Sequence, residues 1–188
     1  MNQFSSSKRA LLASAVAGLS LLLAQGPAHA ADEQPMLEQD SRAALASLYA
    51  GSPGAKALSE KAKGILVFPN IVKAGFVVGA QSGDGMLLEK DKPSGFYNTT
   101  AVSVGMQAGA QSFGYVLFFM SDPVLAEFKK SKNFKIGVGP TIVVIDAGAA
   151  KDVNRLTVKS DVYAIIFDQK GLMAGLGLQG SKITRLNP

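Results

Sequence analysis

The sequence predicts an α+β fold in which N-terminal helices pack on a strongly curved, mainly antiparallel sheet that can close into a barrel, with one short helix inserted. Apolar residues recur at helical spacing over residues 36–62. Further along the chain, many short stretches alternate between apolar and polar side chains, as half-buried strands do. Glycines recur within these stretches and permit the bends that a curved sheet needs. Helices followed by a run of strands are typical of the α+β class.

The first thirty residues have the pattern of a cleaved signal peptide. Lys8 and Arg9 form a short positive region, and residues 10–24 are apolar. This stretch is shorter than the roughly 20 apolar residues that a membrane anchor needs, which is the alternative. The small residues of Ala28-His29-Ala30 match a cleavage site. We therefore expect a periplasmic or secreted protein with a single domain at residues 31–188.

The composition without this leader excludes several kinds of site. The remainder has 17 Lys and Arg and 14 Asp and Glu residues, a net charge of +3, and the only histidine, His29, is removed. The chain also has no cysteine. A Ser-His-Asp triad, a thiolate nucleophile and a Cys/His zinc site are thereby excluded. The sequence predicts a non-enzymatic protein with no metal site and no cofactor.

Two helices are predicted at the start of the domain. Residues 31–35 are expected to be disordered, and residues 36–50 form a helix with Leu45 and Leu48 on its apolar face. Ser52-Pro53 begins the second helix, because serine is a good N-cap and proline fits the first helical position.

The strand pattern begins after Gly64. Gly83-Asp84-Gly85 and Lys92-Pro93-Ser94-Gly95 are predicted to form turns. Ser121-Asp122-Pro123 is predicted to begin the inserted helix. The predicted strands are residues 65–68, 73–82, 86–90, 100–112, 115–120, 134–138, 141–147, 162–167, 172–178 and 182–185.

One segment of the sequence is repeated. Residues 75–82 (GFVVGAQS) return thirty positions later as residues 105–112 (GMQAGAQS). A glycine zipper in a membrane helix would have the same glycine spacing. The alternation of side chains and the nearby Gln residues instead favour bent strands, so we interpret these glycines as structural.

Several motifs together resemble the SYLF family. Residues 62–76 (AKGILVFPNIVKAGF) and 103–115 (SVGMQAGAQSFGY) resemble its opening and central signatures. Residues 146–150 (DAGAA) and 163–180 resemble its C-terminal blocks, so the resemblance extends over about residues 44–185. The resemblance implies lipid binding, with phosphoinositides and other anionic lipids as ligands of eukaryotic members and actin as a partner of some. Bacterial members resemble secreted or envelope-associated proteins.

Two groups of lysines are the candidate lipid-binding residues. Each lysine near an acidic bilayer contributes about 1 kcal/mol, so four support reversible, salt-sensitive binding. A solvated surface is the competing interpretation. A nucleic-acid partner is not expected, because the charge is modest and no recognition motif occurs. The first group is Lys56, Lys61, Lys63 and Lys73, and the second is Lys129, Lys130, Lys132 and Lys135.

From these observations we expect an exported, non-enzymatic lipid-binding protein that associates reversibly with anionic phospholipid at the cell envelope. The alternative is a structural or protein-interaction component of the envelope without direct lipid contact. An enzyme that uses carboxylates is a third possibility, with Asp146 and Asp168 as candidates at the ends of apolar strands. Aspartates at strand ends are more often turn or cap residues.

Overall fold

The computed structural model describes residues 28–148, 150, 160–171, 178 and 180–186, without the side chains of residues 28–33 and 104–108. The chain divides into two compact units, residues 1–33 and 34–188, and the second contains the sheet. Residues 1–27 of the predicted signal peptide lie outside the described residues. Its cleavage therefore stays a prediction.

Two helices precede the sheet, α1 at Ala28–Gly51 and α2 at Pro53–Ser59. The predicted disorder of residues 31–35 is wrong, because α1 runs through this segment with Pro35 inside the helix. Residues 28–34 are rich in Ala, Glu and Gln, whose helix propensity outweighs the unfavourable proline. The predicted start of α2 is confirmed: the Ser52 side chain accepts a hydrogen bond from the Ala55 backbone N–H at 3.3 Å.

Two unusually long antiparallel strands form the body of the sheet. They are β1 at Gly64–Glu89 and β2 at Lys92–Phe119, paired from Gly64–Phe119 to Glu89–Lys92. Lys90 and Asp91 connect them with φ angles of 51° and 61°, and positive φ at both positions is typical of a type I′ turn. The predicted turns at residues 83–85 and 92–95 are therefore wrong, because both segments lie within strands.

The remaining elements complete a six-stranded sheet. Its order is β3-β6-β2-β5-β4, and β1 pairs with β2 off this path. Four of the five pairings are antiparallel, and β4 and β5 are parallel, so the predicted α+β class with a mainly antiparallel sheet is confirmed. The predicted strand at residues 172–178 lies outside the described residues except for residue 178. The elements are α3 at Asp122–Lys130, β3 at Asn133–Lys135, β4 at Ile142–Asp146, β5 at Val162–Gly171 and β6 at Lys182–Arg185.

The ribbon formed by β1 and β2 folds back on itself. The Tyr115 hydroxyl donates a hydrogen bond to the Thr99 hydroxyl at 2.8 Å. These two residues of β2 are 16 positions apart, which in a straight strand would separate them by roughly 50 Å. In β1, a Cβ added to Gly85 would lie 2.5 Å from Cδ1 of Phe68. The two halves of the ribbon therefore face each other across a bend at residues 75–78 of β1 and 104–109 of β2, which confirms the strong curvature.

Two buried clusters lie on opposite faces of the folded ribbon. The first lies between its halves and includes Phe68 and Tyr115, with Phe128 of α3 packed against it. The second lies on the other face, where Leu45 and Leu48 of α1 pack with β1, β2 and β5. The apolar face predicted for the first helix is confirmed as a packing face. The second cluster contains Val67 of one half and Met86 of the other, so the helices cover a surface to which both halves of the ribbon contribute.

Two glycine substitutions test the fold-back. Gly85→Ala places a methyl group 2.5 Å from both Cδ1 of Phe68 and the Val67 carbonyl oxygen. We expect it to lower the free energy of unfolding in urea by about 1–3 kcal/mol, the usual cost of overpacking. Gly51→Ala is the control, because a Cβ there has nothing within 4 Å. In the last turn of a helix it should leave stability unchanged or raise it by about 0.5–1 kcal/mol. Equal stability of the two variants would contradict the packed halves.

Candidate functional site

The structure separates the first group of candidate lysines. Lys56, Lys61 and Lys63 are exposed on α2 and on the turn between α2 and β1. The capped helix places Lys56 outward because Ala55 and Leu58 are buried on its other side. Lys73 is different: its exposed fraction is 5%, and it pairs with Gln111 across the ribbon, roughly 30 Å along β1 from Lys63. Three of the four lysines therefore form a surface group.

The second group lies around the C-terminus of α3. Lys129 and Lys130 occupy the last helical turn, where positive charge interacts favourably with the helix dipole. Lys129 also forms a salt bridge of 2.6 Å with Glu89, at the end of β1. Hydrogen bonds from Lys129 and Ser94 lower the pKa of the Glu89 carboxyl. Lys132 and Lys135 are exposed beyond the helix.

Most of these lysines form no salt bridge with an acidic residue that the structure describes. Within the described part of the chain, the salt bridges are Arg42–Glu38 and Lys129–Glu89. Exposed ion pairs contribute about 0–1 kcal/mol to stability, so the Lys129–Glu89 salt bridge stabilises the fold only slightly. The exposed candidate lysines that form no ion pair with any described residue are Lys56, Lys61, Lys63, Lys130, Lys132 and Lys135.

The sheet register adds a lysine that sequence reasoning missed. Lys135 of β3 lies directly opposite Lys182 of β6, and both are exposed. Directly paired strand residues share a face of the sheet, so two like charges stand side by side, an arrangement that costs stability without an anion. Lys182 is 47 positions from Lys135 in sequence, and nothing in the local pattern signals that they are neighbours. Only the pairing of β3 with β6 brings them together.

The interior of the folded ribbon becomes polar towards the bend. Lys73, Gln81 and Gln111 are buried there, and the Gln81 side-chain amide donates a hydrogen bond to the Ser181 hydroxyl at 3.2 Å. The Tyr115–Thr99 hydrogen bond lies deeper, and burial raises the pKa of the Tyr115 phenol. Buried polar groups need such partners, so this layer fixes how the two halves meet.

The outer surface of the bend is apolar, which sequence reasoning also missed. The apolar face of an alternating strand is usually buried, yet the apolar face of these segments is exposed to solvent. The residues that expose at least half of their surface are Val72, Phe76, Val77, Val78 and Val102, called here the apolar bend. Contiguous exposed apolar patches on soluble domains generally mark contact surfaces.

The two candidate carboxylates lie at the end of β4 and inside β5. Asp146 is exposed and accepts hydrogen bonds from the Gly148 backbone N–H at 2.8 Å and from the Gln169 side chain at 2.9 Å. The first of these is an Asx-type turn bond. Asp168 is exposed and has a φ of 51°, which places it at an irregularity in β5. The interpretation as a turn residue fits Asp146, whereas Asp168 lies inside β5 and not at the predicted strand end.

Two further features concern the described residues alone. Among them, no three histidine, cysteine or acidic side chains come close enough to share a metal ion. No helix in the same part of the chain has both the length and the hydropathy that crossing a bilayer requires.

Comparison with known proteins finds a family and several relatives. Residues 100–187 match the family model Ysc84, described as "Las17-binding protein actin regulator". The SH3 domain-containing YSC84-like protein 1 of Rattus norvegicus is 28% identical over 126 residues, which is 64% of this chain and 37% of the relative. The protein of the same name from Homo sapiens is 26% identical, over 64% and 36% of the two chains. That from Xenopus laevis is 27% identical over 127 residues, or 64% and 37%.

The family match covers the motif at residues 103–115. The aligned part spans just over a third of the relatives' own length. The region that the family model matches contains most of β2 and all of α3 and β3–β6, so it includes the β2 part of the bend and the second group of lysines. The resemblance to the SYLF family is thereby confirmed, with the match to the Ysc84 (SYLF) family model lying in residues 100–187.

Proposed function

We propose that this protein binds anionic phospholipid surfaces reversibly and without catalysis. The SYLF family is associated with lipid binding and with actin-related binding, and the names of its members are those of binding or adaptor proteins. The observation that carries the proposal is the set of six exposed candidate lysines that form no ion pair with any described residue. Their charges are free to meet anionic headgroups.

The size of this charge supports reversible association. Three lysines near an acidic bilayer contribute about 3 kcal/mol, which is roughly a hundredfold enrichment. Interactions of this kind are screened over about 10 Å at 0.1 M salt. Binding should therefore weaken as salt rises, and it is too weak to hold the protein permanently without apolar contacts.

Export to the cell envelope is a further part of the proposal. It rests on the pattern of residues 1–30, with its positive start, apolar stretch and small-residue cleavage motif. In an envelope, phosphatidylglycerol and cardiolipin would supply the anionic headgroups. N-terminal sequencing of the protein purified from its native envelope tests this directly, because a mature chain beginning at Ala31 is expected.

Charge reversal tests the lysines. The triple variant Lys130→Glu, Lys132→Glu, Lys135→Glu should weaken binding to vesicles of phosphatidylglycerol and phosphatidylcholine by at least about a hundredfold. The triple variant Lys56→Glu, Lys61→Glu, Lys63→Glu tests the first group in the same cosedimentation assay. All six side chains are exposed, so folding should be preserved. Lys73 is left unchanged because reversing a buried lysine would test folding instead.

The matched controls replace the same lysines with arginine. These variants keep the charge and should bind like the wild type, and none of the proteins should bind pure phosphatidylcholine vesicles. If both charge-reversed variants sediment with anionic vesicles as the wild type does, the lysines do not carry the binding. If the wild type itself fails to bind at low salt, the proposed function is wrong.

A protein partner is the second candidate. The description of the matching family names Las17 binding and actin regulation, both of which are protein contacts. An envelope component of this kind would bind a protein at fixed stoichiometry and would ignore lipid vesicles. Isolation of such a complex, together with no vesicle binding, would favour this function over the first.

A further inference from the structure

The apolar bend is exposed although it lies within two paired strands. Phe76 and Val102 expose 79% and 75% of their surfaces, and Val77 and Val78 expose 51% and 55%. No charged residue occurs between Lys73 and Asp84 or between Lys92 and Asp122. The end of the folded ribbon therefore presents large apolar side chains with no charge among them.

The backbone holds these side chains in place. A Cβ added to Gly75 would lie 2.3 Å from the Gly79 Cα, so the chain turns back on itself within five residues. Val77, at the middle of this turn, has a φ of 64°. A left-handed conformation is unfavourable for a β-branched residue and suits glycine. This position nevertheless carries an exposed isopropyl group, and such local strain is typical of functional sites.

Lysines follow the apolar bend on both outer faces of the ribbon. On one half, Val72 pairs with Ser112, which pairs with Lys170 of β5. On the other half, Thr100 lies two residues behind Val102 and pairs with Lys182, which pairs with Lys135. Two residues of a strand span about 7 Å, so Lys182 and Lys135 lie one such step behind Val102, whereas Lys170 lies in the row of Val72 and behind Phe76. Lys170, Lys182 and Lys135 are exposed and are called here the lysine belt.

Acidic residues lie farther from the bend than the lysine belt. Ser82 pairs with Thr100, and Asp84 lies two residues farther from the bend on the same strand. The Asp84 carboxylate accepts a hydrogen bond from the Asn98 side-chain amide at 2.7 Å. Asp168 precedes Lys170 on β5, again on the side away from the bend. The order from the bend inward is thus apolar, basic and then acidic on both halves.

We propose that the apolar bend inserts into the hydrocarbon–headgroup boundary of an anionic bilayer while the lysine belt contacts the headgroups behind it. This inference rests on the proposed lipid binding and names the face that meets the membrane. A bilayer presents apolar chains below a layer of negative charge, which is the order of chemistry that the two halves of the ribbon match. The strands are paired on both sides of the bend, and the residues outside the register there are Val77 of β1 and 105–107 of β2, so insertion exposes few unpaired backbone groups.

Aspartate substitutions test the contribution of the bend. Phe76→Asp and Val102→Asp should each reduce partitioning onto vesicles of phosphatidylglycerol and phosphatidylcholine by at least about tenfold, because each removes an apolar group and adds a repelled charge. Val144→Asp is the matched control, since Val144 is 45% exposed on β4, away from the bend. It should bind as the wild type does. Equal binding of all four proteins would overturn the proposal.

A fluorescent reporter tests insertion itself. The chain contains no tryptophan, so Phe76→Trp provides a single reporter at the bend, and Met36→Trp provides one on α1, where Met36 is 65% exposed. With vesicles brominated in the acyl chains, we expect quenching and a blue shift for Phe76→Trp alone. Quenching of Met36→Trp alone would place α1 at the membrane and overturn the proposal.

Two further outcomes separate this inference from the proposed function. If Phe76→Trp sediments with anionic vesicles but is not quenched, lipid binding stands and insertion of the bend is overturned. If sedimentation analysis shows a dimer that Phe76→Asp converts to a monomer, and vesicles do not quench the reporter, the bend contacts a second copy of the chain and the proposal is overturned. Failure of the wild type to bind vesicles overturns both proposals.

Discussion

The contact between the two halves of the β1–β2 ribbon is the constraint on which the rest of this structure depends. A two-stranded ribbon of this length has too little core to be stable alone. Folding it in the middle buries one face of each half against the other, and the close approach is possible because Gly83 and Gly85 have no side chain. The Tyr115–Thr99 hydrogen bond closes this interior. The helix layer and α3 then cover the surfaces that the folded ribbon leaves apolar.

The sequence could predict much of this architecture because many of its signals are local. The predicted starts of α2 and α3 and the predicted bounds of β6 depend on neighbouring residues, and the structure agrees with each of them. The Gly83-Asp84-Gly85 segment misled the same reasoning. Its glycines have the composition of a hairpin turn, but they serve a close approach to residues 68–71 of the same strand. A contact between residues so far apart in sequence cannot be predicted from a local sequence pattern.

In the candidate site, too, some features follow from the local sequence and others depend on distant contacts. Exposed lysines around α2 and α3 could be proposed from composition, whereas the burial of Lys73 follows from the fold-back. The lysine belt depends on strand register alone, since its three members come from β3, β5 and β6. The apolar bend was hidden by its own periodicity, because alternation indicates a strand and does not say which strand face is covered.

The lysines and the apolar bend make different contributions to the proposed membrane contact. Lysines supply reversible, salt-sensitive attraction at the surface, and the apolar bend supplies contact that salt does not screen. The buried polar layer of Lys73, Gln81 and Gln111 lies behind the bend. An exposed apolar bend with lysines close to it is therefore a direct consequence of how this ribbon folds.

The fold-back can be measured directly by the nuclear Overhauser effect between the Ile71 δ1 methyl and the Gly83 α protons. A Cβ added to Gly83 would lie 2.6 Å from Ile71 Cδ1, so a strong cross-peak is expected. In a straight strand these residues would be about 40 Å apart, and no cross-peak would arise. Absence of this cross-peak, with contacts that instead join Ser82 to Met86 across a turn at Gly83-Asp84-Gly85, would contradict the folded ribbon and the exposed bend that it creates.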